Sequence, residues 1–152
     1  AWMFVWTHLI IKPFSHGLLM AQALSRERAR ELVEASFYRL RRLSSFGGDL
    51  CTHLRTSSPA LFEGIEFQVA KDEQAIVLLD FVSGLIGNCA HDCVLQLRGL
   101  RMVDFFSLQR TLIATIQKVD SKQLSGETAA AWGWFIEVDL VEQHSLAQCP
   151  NL

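Results

Sequence analysis

The chain has 152 residues, half of them hydrophobic and a fifth charged, with a formal net charge of −2. That length suits one domain around one core, and so much apolar content argues against intrinsic disorder. Lys and Arg (14) nearly balance Asp and Glu (16), so no field of one sign points to nucleic acid as a partner. The opening AWMFVWTHLIIK is strongly apolar. It is too short to span a bilayer and lacks the basic start and small-residue cleavage site of a signal peptide. The chain starts without Met, so we expect it to begin inside a longer protein. Trp2 and Trp6 are four apart and would share a helix face; such a segment is expected to pack on a protein partner or on its own domain rather than on lipid. Residues 1–24 therefore read as an apolar N-terminal extension, 25–146 as the folded domain and 147–152 as a tail.

In 25–43, Leu32, Val33, Ser36, Phe37 and Leu40 recur at helical spacing, with Ser25 as a plausible N-cap. Arg26, Arg28, Arg30, Arg39, Arg41 and Arg42 interleave with Glu27, Glu31 and Glu34. That pattern predicts a solvated face laced by i,i+4 pairs, with a docking patch for an acidic partner as the alternative. Residues 44–48 are expected to interrupt the helix and 49–55 to form a shorter one. Thr56, Ser57 and Ser58 mark a turn, and Pro59 suits the first turn of a short helix. Over 70–88, Ala75, Leu78, Leu79, Val82, Leu85 and Ile86 define one face, closed by Gly87-Asn88. Residues 91–101 give a weaker helical pattern and 103–119 a strong one. Ser125, Glu127 and Thr128 open a last helix that runs to about His144, with Pro150 at or beyond its end. No alternating β-branched run suggests a sheet, so the expected class is all-α. No repeat or domain linker appears.

Chemistry-bearing motifs are scarce. Cys51, Cys89, Cys93 and Cys149 lack the spacing of a disulfide framework, so free thiols in the cytoplasm or another reducing intracellular compartment are expected. Cys89 and Cys93, with His91 between them, lack the second ligand pair that zinc sites use. There is no phosphate-binding glycine loop, HExxH, nucleophile elbow or triad spacing, and no enzyme is expected. Asp80, Asp92 and Asp104 read as solvated, and His8, His16, His53 and His144 as ordinary surface or partly buried residues. Trp132 and Phe135 can share a core face. Trp134 points elsewhere and is expected to mark a contact surface.

Several stretches resemble the globin family in order and approximate spacing. ELVEASFYRL at 31–40 is similar to its first helix. GGDLCTHLRTSSPALFEG at 47–64 resembles the second helix, the proline-led short helix and the Leu-Phe that follows. LLDFVSGL at 78–85 resembles the long distal helix, and LIATIQKV at 112–119 with SGETAAAWGWFIEV at 125–138 resemble the last two. The resemblance covers roughly residues 25–145 and implies a globin-like helical domain. It makes Phe62 the phenylalanine that wedges against haem and Gln74 a polar distal residue. It also exposes a departure: the proximal segment is short and reads Leu97-Arg98-Gly99-Leu100-Arg101-Met102, with Arg101 about where the iron-binding histidine belongs. A guanidinium stays protonated and has no lone pair for iron. Met102 can ligate haem, usually beside a histidine, and His91 is the one histidine placed to serve as ligand. Two expectations follow. The first is a haem-free globin-like domain acting as a protein-interaction, assembly or sensor module, with a protein partner or larger complex, a possible homo-oligomer and no cofactor. Its pocket would be closed by residues such as Phe62, Leu79, Phe105 and Phe106. The second is a haem globin that uses His91 and binds oxygen or another diatomic ligand.

Overall fold

The computed structural model describes residues 25–87, 96–120, 124 and 126–149. Among them the chain is all-α, without a strand. In chain order the elements are α1 (Arg26–Arg41), α2 (Ser44–Ser57), 3-10 turns over Pro59–Glu63 and Ile65–Phe67, and α3 (Gln74–Ile86). There follow α4 (Met102–Asp120), α5 (Gly126–Trp134), a π-helical turn (Phe135–Asp139) and α6 (Leu140–Ala147). The last three form one continuous helical stretch. No helix among the described residues is long and apolar enough to cross a membrane.

Local signals explain most of the starts and stops. The Ser25 hydroxyl accepts from the Arg28 N–H at 3.0 Å and caps α1, satisfying one of the donors that every helix start leaves open. Pro59 occupies the first position of its 3-10 turn, where its missing N–H costs nothing. The start of α2 departs from expectation. It begins at Ser44, not at residue 49, and carries Gly47 and Gly48 inside it. Glycine is a poor helix former, but Gly47 is buried against α3. A Cβ there would lie 2.9 Å from Leu79 Cδ1. The second glycine, Gly48, faces open space.

α1 packs against α5, α3 and α2, while α2 lies against both α4 and α3. One core joins Val33, Phe37 and Leu40 of α1, Phe46, Leu50 and Leu54 of α2, Leu78, Val82 and Leu85 of α3, Leu108, Leu112 and Ile116 of α4, and Trp132, Phe135 and Ile136 of the last stretch. Each large side chain fully buried contributes roughly 1.5–3 kcal/mol. Within this core the Trp132 indole donates to Ser36 Oγ at 2.9 Å. The segments 78–86 and 112–119 thus line one core, as the sequence pattern predicts.

Most of the interleaved charges of α1 are exposed, as expected, Arg26, Glu27, Arg28, Glu31, Glu34 and Arg42 among them. The pairing differs, because most of the pairs run across helices. Arg26 reaches Glu142 at 2.9 Å, Arg30 reaches Asp139 at 3.0 Å, Arg41 reaches Asp80 at 2.8 Å, and Arg39 grips Asp120 through both nitrogens at 2.6 and 2.7 Å. Arg28–Glu31 is the pair within one helix. A second expectation fails in the middle of the last stretch, where every residue from Ala130 to Glu137 is buried. Trp134, expected at the surface, is therefore inside, with the Arg30 guanidinium 5.4 Å from its ring. A helix covered on all sides carries no amphipathic signal.

Candidate functional site

The region to build is the short connection before α4, where the resemblance puts an iron ligand. Residues 96–98 are helical, and Leu97 and Leu100 are buried. Buried carbonyls need partners, and the Leu97 carbonyl accepts from the Leu100 N–H at 3.0 Å. Side chains of the last helix add further bonds. Gln148 Nε2 donates to the Leu97 carbonyl at 3.1 Å, and His144 Nε2 lies 3.1 Å from the Leu100 carbonyl. In return Arg98 Nε donates to the carbonyl of the buried Ala147 at 2.8 Å, at the end of α6. Gln96 Nε2 ties the other side to the Leu61 carbonyl at 2.9 Å. It packs so closely that a Cβ on Gly64 would meet Gln96 Oε1 at 2.8 Å.

His144 is not the surface or marginal histidine the sequence suggests. It is buried, and its ring stacks on Phe105 with centroids 4.2 Å apart and planes 14° from parallel. Asp104 is a second correction. Expected in solvent, it is buried, and its two oxygens accept from Ser58 Oγ at 2.9 Å and Arg101 Nε at 3.1 Å. Asp80 is exposed, as expected. Arg101 extends into water, with its side chain 74% exposed, and pairs back onto Asp104. Met102 is also exposed. Neither side chain at the expected ligand position therefore offers a buried lone pair, and the donor set described does not fit haem iron. Among the described residues no cluster of His, Cys, Asp and Glu could hold a metal ion.

Phe62 and Gln74 are brought together, though not around a cofactor. Arg55 joins them. Its Nε donates to Gln74 Oε1 at 2.9 Å, its Nη2 donates to the Lys71 carbonyl at 2.8 Å, and its guanidinium lies 5.9 Å from the Phe62 ring. Gln74 Nε2 donates to the Phe67 carbonyl at 3.0 Å, and Phe62 meets Phe67 edge-on at 4.9 Å. Gln74 thereby pins the entry of α3 to the second 3-10 turn, with both ends of its amide used. Leu79 packs on Gly47, and Phe105 and the half-buried Phe106 join the core. His91, Trp2 and Trp6 lie outside the described residues, as do Ser125, Asp92, Cys89 and Cys93.

Sequence reasoning missed a polar cluster at the far end of α3. Arg30 donates to the Ile86 carbonyl and to Asp139, and Gln143 Nε2 donates to the Leu85 carbonyl and to Asp139 Oδ2, both at 2.8 Å. These side chains satisfy the last carbonyls of α3, with the positive charge where a helix C-terminus favours it. The available signal was Asp139, which with Glu137 interrupts the apolar run before Leu140. The π turn contributes a similar bond, its Ile136 carbonyl accepting from the fully buried Gln109 at 2.8 Å. Cys51 is a buried free thiol whose pKa burial pushes up, with Arg55 acting the other way. That leaves it a poor nucleophile. Cys149 is a free, exposed thiol.

Comparison of the chain with protein-family models, with curated proteins and with solved structures finds no match.

Proposed function

We propose that this chain is a globin-like domain that works without haem, as a protein-interaction, assembly or sensor module. One observation carries the reading. Where the resemblance expects an iron ligand, the chain has Arg101, exposed and paired with Asp104. The adjoining backbone is fastened to the last helix by Arg98, His144 and Gln148. Protein side chains thus do there what a metal bond would do in a haem protein. The described residues are all-α, with helices at 26–41, 44–57, 74–86, 102–120 and 126–147, which is the helical class the resemblance implies. A fold outlives the chemistry of its site, so such a domain need not bind oxygen. The aromatic extension with Trp2 and Trp6 supports a protein partner, a larger complex or a homo-oligomer. The thiols of Cys51 and Cys149 agree with a reducing compartment.

The test is reconstitution of the full chain with haemin, followed by gel filtration. The expected result is protein without a Soret band. A sharp band abolished in His91→Ala would make the chain a haem globin and overturn the proposal. A band indifferent to His91 would overturn it too, with Met102 the next ligand to replace.

A further inference from the structure

We propose that Ser44 is a phosphorylation site, the acceptor for a serine kinase whose substrate groove is acidic. The inference is independent of whether the domain binds haem. Arg41-Arg42-Leu43-Ser44 places two guanidinium groups three and two residues before a serine. A groove of opposite charge recognises such an array by electrostatic complementarity. Position in the fold makes the array reachable. It spans the turn between α1 and α2, Leu43 is extended (φ −79°, ψ 129°) and 41% exposed, and Arg42, Ser44 and Ser45 are all exposed. The first core residue is Phe46, fully buried two positions after Ser44, so the stretch a kinase must grip lies outside the core.

The Arg42 charge is available, while Arg41 is half-buried over the Phe37 ring and must leave an ion pair to be read. Among the described residues no carboxylate pairs with Arg42, whose guanidinium rests over the exposed Tyr38 ring at 5.7 Å. Arg41 pairs with Asp80, itself largely in solvent, where an ion pair holds weakly. Two other described serines that follow arginines each lack a requirement. Ser45 has the buried Phe46 immediately after it. Ser57 follows Arg55, but its hydroxyl donates to the His53 carbonyl at 2.9 Å and accepts from Ser107.

In the transfer, Ser44 Oγ forms a bond to the γ-phosphorus of magnesium-bound ATP as the bond to the bridging oxygen breaks. ADP leaves, and the hydroxyl proton passes to the kinase's catalytic carboxylate. The product has a consequence in this fold. Ser44 is the first residue of α2, a helix with no acidic residue in its first turn and no side-chain cap. A phosphate there lies at the positive end of the helix, two residues after Arg42, so it strengthens the helix start rather than melting it.

The experiment incubates the native full chain with a purified arginine-directed serine kinase and magnesium ATP, maps the phosphate by mass spectrometry, and melts the product. The expected result is one phosphate on Ser44, a higher melting temperature than the unmodified chain, and a rate lowered about tenfold or more by Arg42→Ala. Arg42→Lys should retain most of the rate, and circular dichroism of these exposed-site variants should be unchanged. Phosphate on other residues with Ser44 unmodified overturns the proposal. So does modification of Ser44 only after the chain is unfolded in urea, a rate indifferent to Arg42→Ala, or a lowered melting temperature.

Discussion

The paired glycines of α2 give the most discriminating test of how this domain is built. Gly48 is exposed, lies inside the helix and has nothing within 4 Å of a Cβ position. Gly48→Ala therefore gains helix propensity with no steric offset, about 1 kcal/mol, or roughly 2–4 °C in melting temperature for a domain of this size. Gly47→Ala gains the same propensity but drives a methyl to 2.9 Å from Leu79 Cδ1, in a side chain only 8% exposed. Overpacking of this kind costs about 1–3 kcal/mol, so the net change runs from about zero to a loss of about 2 kcal/mol. The assay is urea and thermal unfolding of the two variants beside the parent, followed by far-ultraviolet circular dichroism. The ordering should be Gly48→Ala, then parent, then Gly47→Ala, with the first and last separated by about 1–3 kcal/mol. A destabilised Gly48→Ala would mean that α2 starts later, as sequence spacing alone suggests. Equal gains at both positions would refute the close approach of α2 and α3.

Arg39 and Asp120 form a two-pronged pair in which the carboxylate is buried and the arginine partly exposed. Arg39→Ala should cost about 1.5–3 kcal/mol in urea unfolding, and a loss below ~0.5 kcal/mol would show the pair to be fully screened. Cys51 predicts a pH effect. Its folded pKa is raised, so above the ordinary thiol range the folded state holds more protons than the unfolded one. Its contribution is complete below that range and is lost as pH rises through it. Cys51→Ala should flatten the fall in urea midpoint between neutral and alkaline pH, and equal slopes in parent and variant would contradict this. Deleting residues 1–12 should impair assembly or solubility while leaving helical circular dichroism intact; unfolding of the shortened chain would assign that segment to the domain's own core.

Much of the helical framework was legible because its signals are local. Ser25, Pro59 and the apolar rows of α1, α3 and α4 act within a few residues of themselves. Gly47 was misread because a glycine that permits close packing has the same letter as one that breaks a helix, and the deciding atom belongs to Leu79. Trp134 was misplaced because facing arguments presuppose an exposed side, and the last helix has none there. The π turn adds a residue to one turn with no composition of its own to announce it. Buried polar residues were the least legible. His144, Asp104, Asp139 and Gln143 look like surface residues, and what makes them core residues is a partner 44, 46, 109 and 58 positions away respectively.

The same accounting applies to residues 96–101, just before α4. Residues 96–101 carry Leu97 and Leu100 into the core. Burying those side chains brings their carbonyls with them, and an unpaired buried carbonyl costs about 1–3 kcal/mol. The Leu97 carbonyl accepts from both the Leu100 N–H and Gln148, His144 lies against the Leu100 carbonyl, and Arg98 donates to the Ala147 carbonyl at the end of α6. The exchange works only if the last helix reaches past residue 143, and it does, ending at Ala147. His144 lies at the centre, since one ring both reaches the Leu100 carbonyl and stacks on Phe105. A leucine in its place would keep most of the apolar volume and orphan that carbonyl. The polar bonds, rather than packing alone, then set how firmly residues 96–101 are held.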